Sequence, residues 1–174
     1  MHPGRKIFLI GFMGSGKSTT GRKLAACLGW SFVDLDERIE ERAGMKIPEI
    51  FSEKGETWFR KLESSVIRDL EHITDLVVST GGGAPCHDDN MDFMLGSGLT
   101  VYLKLTPEQL KSRLQNSKTE RPLLKKINED DLADFITRKL MEREKWYSRA
   151  AITIDGFETD ISSLISLVRQ WKEG

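Results

Sequence analysis

Five short apolar runs punctuate the chain, and the stretches between them place apolar residues at helical spacing. Lys6–Ile10 is a compact run that predicts a first strand, and Lys17–Leu28 reads as a helix with Leu24 and Leu28 on one face. Ser31–Leu35, Leu76–Thr80, Thr100–Leu105 and Ala151–Ile154 predict four more strands. Between the second and third, Phe59, Leu62, Val66, Ile67, Leu70 and Ile73 recur at the spacing of an amphipathic helix over Thr57–Ile73. Leu132–Tyr147 and Ile161–Trp171 read the same way. Strands alternating with helices predict an α/β architecture of three layers, a parallel sheet with helices on both faces. One stretch resists the pattern. Asn116–Asp131 is polar, carries Pro122 and four cations, and keeps no period. A loop of this length in a compact domain is usually functional or disordered, and the plain alternative is a solvated surface loop.

Composition narrows the class without naming a chemistry. A chain of 174 residues is expected to form one domain, residues 1–174, with a real core. Lys plus Arg is 26 and Asp plus Glu is 27, a net charge of −1. That balance argues against a nucleic-acid binder, which would show a basic excess, but it permits a local basic pocket. No apolar run has the length of a membrane span, and Cys27 and Cys86 suggest neither a disulfide framework nor a metal site. The expectation is a soluble cytoplasmic protein with no membrane partner.

The chemistry begins at the end of the first strand. Gly11-Phe-Met-Gly-Ser-Gly16-Lys17-Ser18 fits G-x-x-x-x-G-K-[ST] and sits between a predicted strand and a predicted helix, the context this motif needs. Glycines let the backbone wrap a phosphate closely, and amides at a helix start point at the anion with the helix dipole behind them. Lys17 is suited to the β and γ phosphates and the Ser18 hydroxyl to Mg²⁺. The sequence lacks the N-K-x-D and D-x-x-G patterns of a switch GTPase. Its third strand ends in Ser79-Thr80 and then Gly81-Gly82-Gly83, with no acidic residue of the kind motor ATPases place there. At the carboxyl edge of a parallel sheet, a glycine run permits close approach to a ligand.

Four further positions break the local pattern. Asp34 and Asp36, at the end of the second strand, would point the same way in extended geometry and could serve a metal shell or accept a proton. The alternative is a helix N-cap followed by an acidic first turn. Arg143 lies on the apolar stripe of Ile136, Leu140 and Tyr147, and a buried guanidinium needs a partner or a ligand carboxylate. Arg60 follows Phe59 on the preceding helical pattern, with an intrahelical pair to Glu63 or Ser64 as its alternative. Two convergent arginines near Asp36 would recognise a small carboxylate. The histidines show no metal-ligand spacing.

Taken in order, these elements resemble the shikimate kinases over nearly the whole chain. The resemblance is carried by G-F-M-G-S-G-K-S-T at 11–19, D-L-D at 34–36, F-S-E-K-G-E-T-W-F-R at 51–60, G-G-G at 81–83, R-P-L-L at 121–124 and M-E-R-E-K-W-Y at 141–147. It implies a P-loop kinase fold with sheet order 2-3-1-4-5, a substrate-binding segment at about 35–62 and a mobile lid at about 114–130. It implies ATP-dependent phosphorylation of the 3-hydroxyl of shikimate on the route to chorismate, by a monomer. By the same resemblance, Gly14, Ser15, Gly16, Lys17, Ser18 and Thr19 hold ATP, and Ser18 and Asp34 hold Mg²⁺, Asp34 through water. Asp36 holds the shikimate hydroxyls and acts as base or orienting group. Arg60 and Arg143 take the carboxylate, Gly81, Gly82 and Gly83 close on the rest, and Phe51 and Phe59 line the ring pocket. Arg121 is the lid arginine that closes on the phosphates, and Arg113 stacks on adenine. Another small-molecule kinase, such as a gluconate kinase, and a catalytically silent nucleotide-binding regulator are the competing classes.

Overall fold

A computed structural model describes residues 5–118, 124 and 126–173. Five parallel strands, β1 (Lys6–Ile10), β2 (Ser31–Asp34), β3 (Leu76–Ser79), β4 (Leu99–Lys104) and β5 (Ile152–Asp155), form one sheet in the order β2-β3-β1-β4-β5. The expected fold class and strand order are both present. The central strand β1 pairs with β3 and β4 and is buried on both faces. Its period-two alternation splits it between two cores. Ile7 and Leu9 pack with Leu24 of α1 (Lys17–Leu28) and with Leu164 and Val168 of α8 (Ile161–Glu173). Phe8 and Ile10 pack on the other face with Val66 and Ile67 of α4 (Glu56–Arg68), Met94 of α5 (Asn90–Ser97) and Tyr147 of α7 (Glu129–Tyr147). A third apolar cluster joins Phe12 and Met13 to Leu110 and Leu114 of α6 (Pro107–Gln115) and Ile136 of α7.

Several boundaries differ from the sequence expectation for identifiable reasons. Helix α4 ends at Arg68, not Ile73, because the chain must turn to enter β3. The ammonium of Lys6, buried in β1, donates to the Glu71 carbonyl at 2.8 Å just past the helix end, and Ile73 is left exposed. Helix α7 starts at Glu129, three residues early, because Asn128 precedes an acidic first turn of Glu129, Asp130 and Asp131 that suits the positive helix end. The patternless stretch is therefore shorter than expected. Its residues 129–131 belong to α7, the expected lid at about 114–130 overlaps α6 at 114–115 and α7 at 129–130, and residues 119–123 and 125 lie outside the described residues.

Four helices are absent from the expected elements, one of them foreshadowed only by the capping alternative at Asp34. Helix α2 (Leu35–Ala43) follows β2 directly, and α3 (Ile47–Glu53) folds back beside it. Helix α6 opens with a reciprocal cap, in which the Thr106 hydroxyl accepts from the Gln109 amide and the Gln109 side chain accepts from the Thr106 amide. Helix α5 fills the crossover between β3 and β4. Its first residue, Asn90, is buried and donates at 3.0 Å to the carbonyl of Ala84 in a 3-10 turn, Ala84–Cys86, that follows the three glycines.

This side chain supports the loop below the cleft. Asn90→Ala leaves the Ala84 carbonyl and a small cavity unfilled, and should lower the unfolding free energy by about 2 kcal/mol. Denaturant melts of the two proteins measure the difference, and equal midpoints would refute it.

Candidate active site

The carboxyl ends of β1, β2 and β3 open into a cleft of about 760 Å³, bounded by the 11–18 loop, α2, α3, α4, α6 and α7. At one end the chain leaves β1 through a loop in which Gly14 and Gly16 take φ of 80° and 89°. An L side chain is strained in that region, and Gly16 there begins α1. Gly14, Gly16, Lys17, Ser18 and Thr19 line the cleft. Ser15 lies just behind it, its amide donating to the Phe12 carbonyl at 3.1 Å. The Lys17 ammonium is folded back onto the carbonyls of Gly11 and Phe12 at 2.9 and 2.8 Å.

Asp34 and Asp36 do not sit side by side in extended geometry. Strand β2 stops at Asp34 because its side chain caps α2, accepting from the amides of Asp36 and Glu37 at 3.0 and 3.4 Å. Asp36 stands in the first helical turn. The capping alternative therefore holds for Asp34, yet its other oxygen accepts from the Ser18 hydroxyl at 2.5 Å. Ser79, at the end of β3, brings its hydroxyl within 3.1 Å of Ser18. Three oxygens thus gather at the phosphate end, a hard donor set of the kind Mg²⁺ accepts while keeping water and phosphate ligands. Among the described residues there is no cluster of three or more His, Cys, Asp or Glu that would enclose a metal entirely.

Charge is concentrated at the other end. Arg60 and Arg143 are only 9 % and 7 % exposed, and Glu63 is fully buried. The Arg60 guanidinium donates to Glu63 at 2.8 Å and to Glu56 at 3.4 Å, so the intrahelical alternative is also realised. The second Glu63 oxygen and the Nη1 of Arg143 are buried without a hydrogen-bond partner among the described residues. Arg143 instead lies over the Phe12 ring at 5.2 Å. Phe51 and Phe59 meet at 4.8 Å on the wall beside Arg60.

The three glycines are explained by space. A Cβ on Gly81 would stand 3.1 Å from the free Glu63 oxygen and 3.3 Å from Asp36. On Gly82 it would meet the Met13 amide nitrogen at 3.1 Å and Arg143 at 3.2 Å, and on Gly83 the Arg60 guanidinium at 2.6 Å. The absence of side chains lets both arginines and both carboxylates close on one stretch of backbone.

Arg113, on α6, lines the cleft near the 11–18 loop. Its guanidinium donates to the carbonyls of Gly156 and Phe157 at 3.1 and 3.2 Å, anchoring the loop after β5. Arg121 lies outside the described residues. Glu63 was weighed in the sequence only as an intrahelical partner of Arg60. Its signal was the three-residue spacing from Arg60 on a helix whose neighbours are apolar, which placed a carboxylate on the buried face.

Burial raises the Glu63 carboxyl to about 7; the Arg60 guanidinium opposes the rise and Asp36 reinforces it. Burial likewise pushes the Cys86 thiol, behind the glycines, up to about 11 against the pull of Arg143 and Arg60. For Glu63 the folded state holds its proton more tightly than the unfolded chain. Its contribution to stability is therefore present below the ordinary value of 4.5 and lost as pH rises through about 7. Glu63→Gln should flatten this decline between pH 5 and 8 in thermal melts. The difference between the two profiles isolates this group, and parallel profiles would disprove the assignment.

Known proteins resemble this chain in sequence and fold. The shikimate kinase family model matches residues 13–170. A shikimate kinase of Parabacteroides distasonis is 45% identical over 151 residues, 87% of each chain. The crystal structure of shikimate kinase from Bacteroides thetaiotaomicron superposes with a TM-score of 0.88 at 39% identity, covering 97% of this chain and 98% of that one. Shikimate kinase from Acinetobacter baumannii, solved in complex with shikimate, gives 0.85 at 35% identity, covering 97% and 94%. With a family match across most of its length, close relatives and the same five-stranded order, the chain belongs to the shikimate kinase family.

Proposed function

We infer that this chain transfers the γ-phosphoryl group of ATP to the 3-hydroxyl of shikimate, giving shikimate 3-phosphate and ADP on the route to chorismate and the aromatic amino acids. The observation that carries the reading is the pair of nearly buried arginines, Arg60 and Arg143, in the same cleft as a G-x-x-x-x-G-K-S loop. One end is built for phosphates, and the other supplies two guanidinium groups for a carboxylate. Family membership and the shikimate complex of the Acinetobacter relative support the choice of substrate.

Each cleft residue has a part in this reading. The loop amides of Gly14, Gly16, Ser18 and Thr19 cradle the phosphates, Ser15 holds the loop in shape through its amide on the Phe12 carbonyl, and Lys17 exchanges its two carbonyl partners for phosphate oxygens. Ser18 and Asp34, whose oxygens already meet at 2.5 Å, suit Mg²⁺, Ser18 directly and Asp34 through water. Bound there, Mg²⁺ would neutralise phosphate charge. Arg113 packs against the adenine beside the loop it anchors. Arg60 and Arg143 bind the shikimate carboxylate, Phe51 and Phe59 border the ring, and Gly81, Gly82 and Gly83 let the backbone approach it. Asp36 accepts a hydrogen bond from the reacting hydroxyl, either orienting it or taking its departing proton as base. Arg121, outside the described residues, is the expected lid arginine, which would meet the phosphates and exclude water from the reacting group. The reading takes the chain as one kinase domain acting as a monomer in the cytoplasm.

A coupled ADP-release assay with ATP, Mg²⁺ and shikimate tests the proposal directly. Turnover on gluconate alone would favour the gluconate kinase alternative, and turnover on neither would favour a silent regulator. In that assay Asp36→Asn should lower kcat by about 100-fold while ATP affinity stays close to normal. Arg60→Ala and Arg143→Ala should each raise the shikimate KM by about tenfold or more, with the ATP KM little changed. A shikimate KM untouched in both variants would remove the carboxylate clamp.

A further inference from the structure

The Tyr147 side chain is completely buried at the end of α7, four residues after Arg143. Its hydroxyl donates to the carbonyl oxygen of Gly82 at 2.5 Å. The ring is fixed by Tyr102, 5.0 Å away between centroids, and the Tyr102 hydroxyl is itself tied to Glu144 at 3.1 Å. A buried phenol held in one orientation therefore grips the middle residue of the glycine triad from the core side.

That grip has a geometric consequence. In a planar trans peptide the carbonyl and the amide hydrogen of the following residue point in opposite directions. Holding the Gly82 carbonyl toward the core turns the Gly83 amide the other way, toward the cleft and beside the Arg60 guanidinium. Consecutive glycines carry almost no intrinsic preference against a rotated peptide plane, so the orientation must come from anchors. Gly81 and Gly83 have backbone anchors, their carbonyls accepting from the amides of Ala84 and Cys86 at 3.1 and 3.0 Å. Among the described residues the Gly82 carbonyl is the one held by a side chain, and neither the Gly82 nor the Gly83 amide has an acceptor.

We propose that Tyr147 is a positioning residue for the acceptor substrate, its hydroxyl fixing the Gly82–Gly83 peptide so that the Gly83 amide faces the acceptor. The proposal rests on the phosphotransfer reading above and adds to it a residue outside the cleft wall. Tyr147→Phe removes the hydroxyl and keeps the ring packing. It should raise the shikimate KM about three- to tenfold, with the ATP KM changed by less than about twofold. A purely structural tyrosine would instead reduce the active fraction and lower kcat with both KM values intact, and that outcome would overturn the proposal. A second measurement needs no substrate. In the ¹⁵N–¹H spectrum of the full chain, Tyr147→Phe should shift or broaden the Gly83 amide signal more than that of Gly81. An unmoved Gly83 signal would overturn the proposal even if wild-type turnover established the function. Failure of wild-type turnover on shikimate would count against the phosphotransfer reading, and the spectrum would still decide the role of Tyr147.

Discussion

A guanidinium taken out of water must be answered by an anion, and this cleft takes out two while supplying one fully buried carboxylate between them. Glu63 spends one oxygen on Arg60 and leaves the other without a partner, while one Arg143 nitrogen is also unmatched. Among the buried groups two guanidiniums therefore face one carboxylate, while Asp36 and Glu56 approach from the more exposed side. The surrounding features follow from keeping that imbalance intact. Helix α4 presents Arg60 and Glu63 on one buried face, α7 delivers Arg143, and the Phe59 and Phe12 rings lie against the two guanidiniums. A carboxylate-bearing ligand would complete the set, which is why the proposed substrate fits the end of the cleft remote from the phosphate loop.

The parallel sheet makes the convergence possible. All five strands run the same way, so their carboxyl ends open on one edge, and the loops after β1, β2 and β3 meet there. The glycine triad and the phosphate loop nearly touch. The Met13 amide nitrogen lies 3.1 Å from the place a Gly82 Cβ would take. Phosphate donor and acceptor would thus be held by two backbone segments in contact, with no layer of side chains between. In phosphoryl transfer, where the protein mainly positions groups and neutralises charge, that proximity is the main service the fold provides.

Local signals were the legible ones. Strand β1 and helix α1 match their sequence boundaries because glycines and a helix start punctuate them sharply. Arg143 could be read because a charge on an apolar stripe is visible in one dimension. The geometry of Asp34 and Asp36 could not, since a strand that gives way to a helix after one residue looks like a longer strand until the cap is seen. Helices α3 and α5 are short and owe their stability to what they cover, which no local pattern reports. Helix α6 is different: its Thr106-Pro107-Glu108-Gln109 cap is a signal local to the chain. Tyr147 looked like the last apolar position of a stripe, and only the tertiary structure reveals a hydroxyl aimed at a glycine carbonyl.

The two cysteines divide the surface of this molecule for chemists as well as for substrates. Cys86 lies directly behind the glycines, yet its burial keeps the sulfur protonated far above neutral pH, so nearness to the cleft does not make it a handle for electrophilic inhibitors. Cys27 is exposed on α1, away from the residues that line the cleft. A maleimide dye would accordingly label Cys27 in preference to Cys86 and leave the arginines undisturbed, which makes the wild-type chain its own labelled reporter.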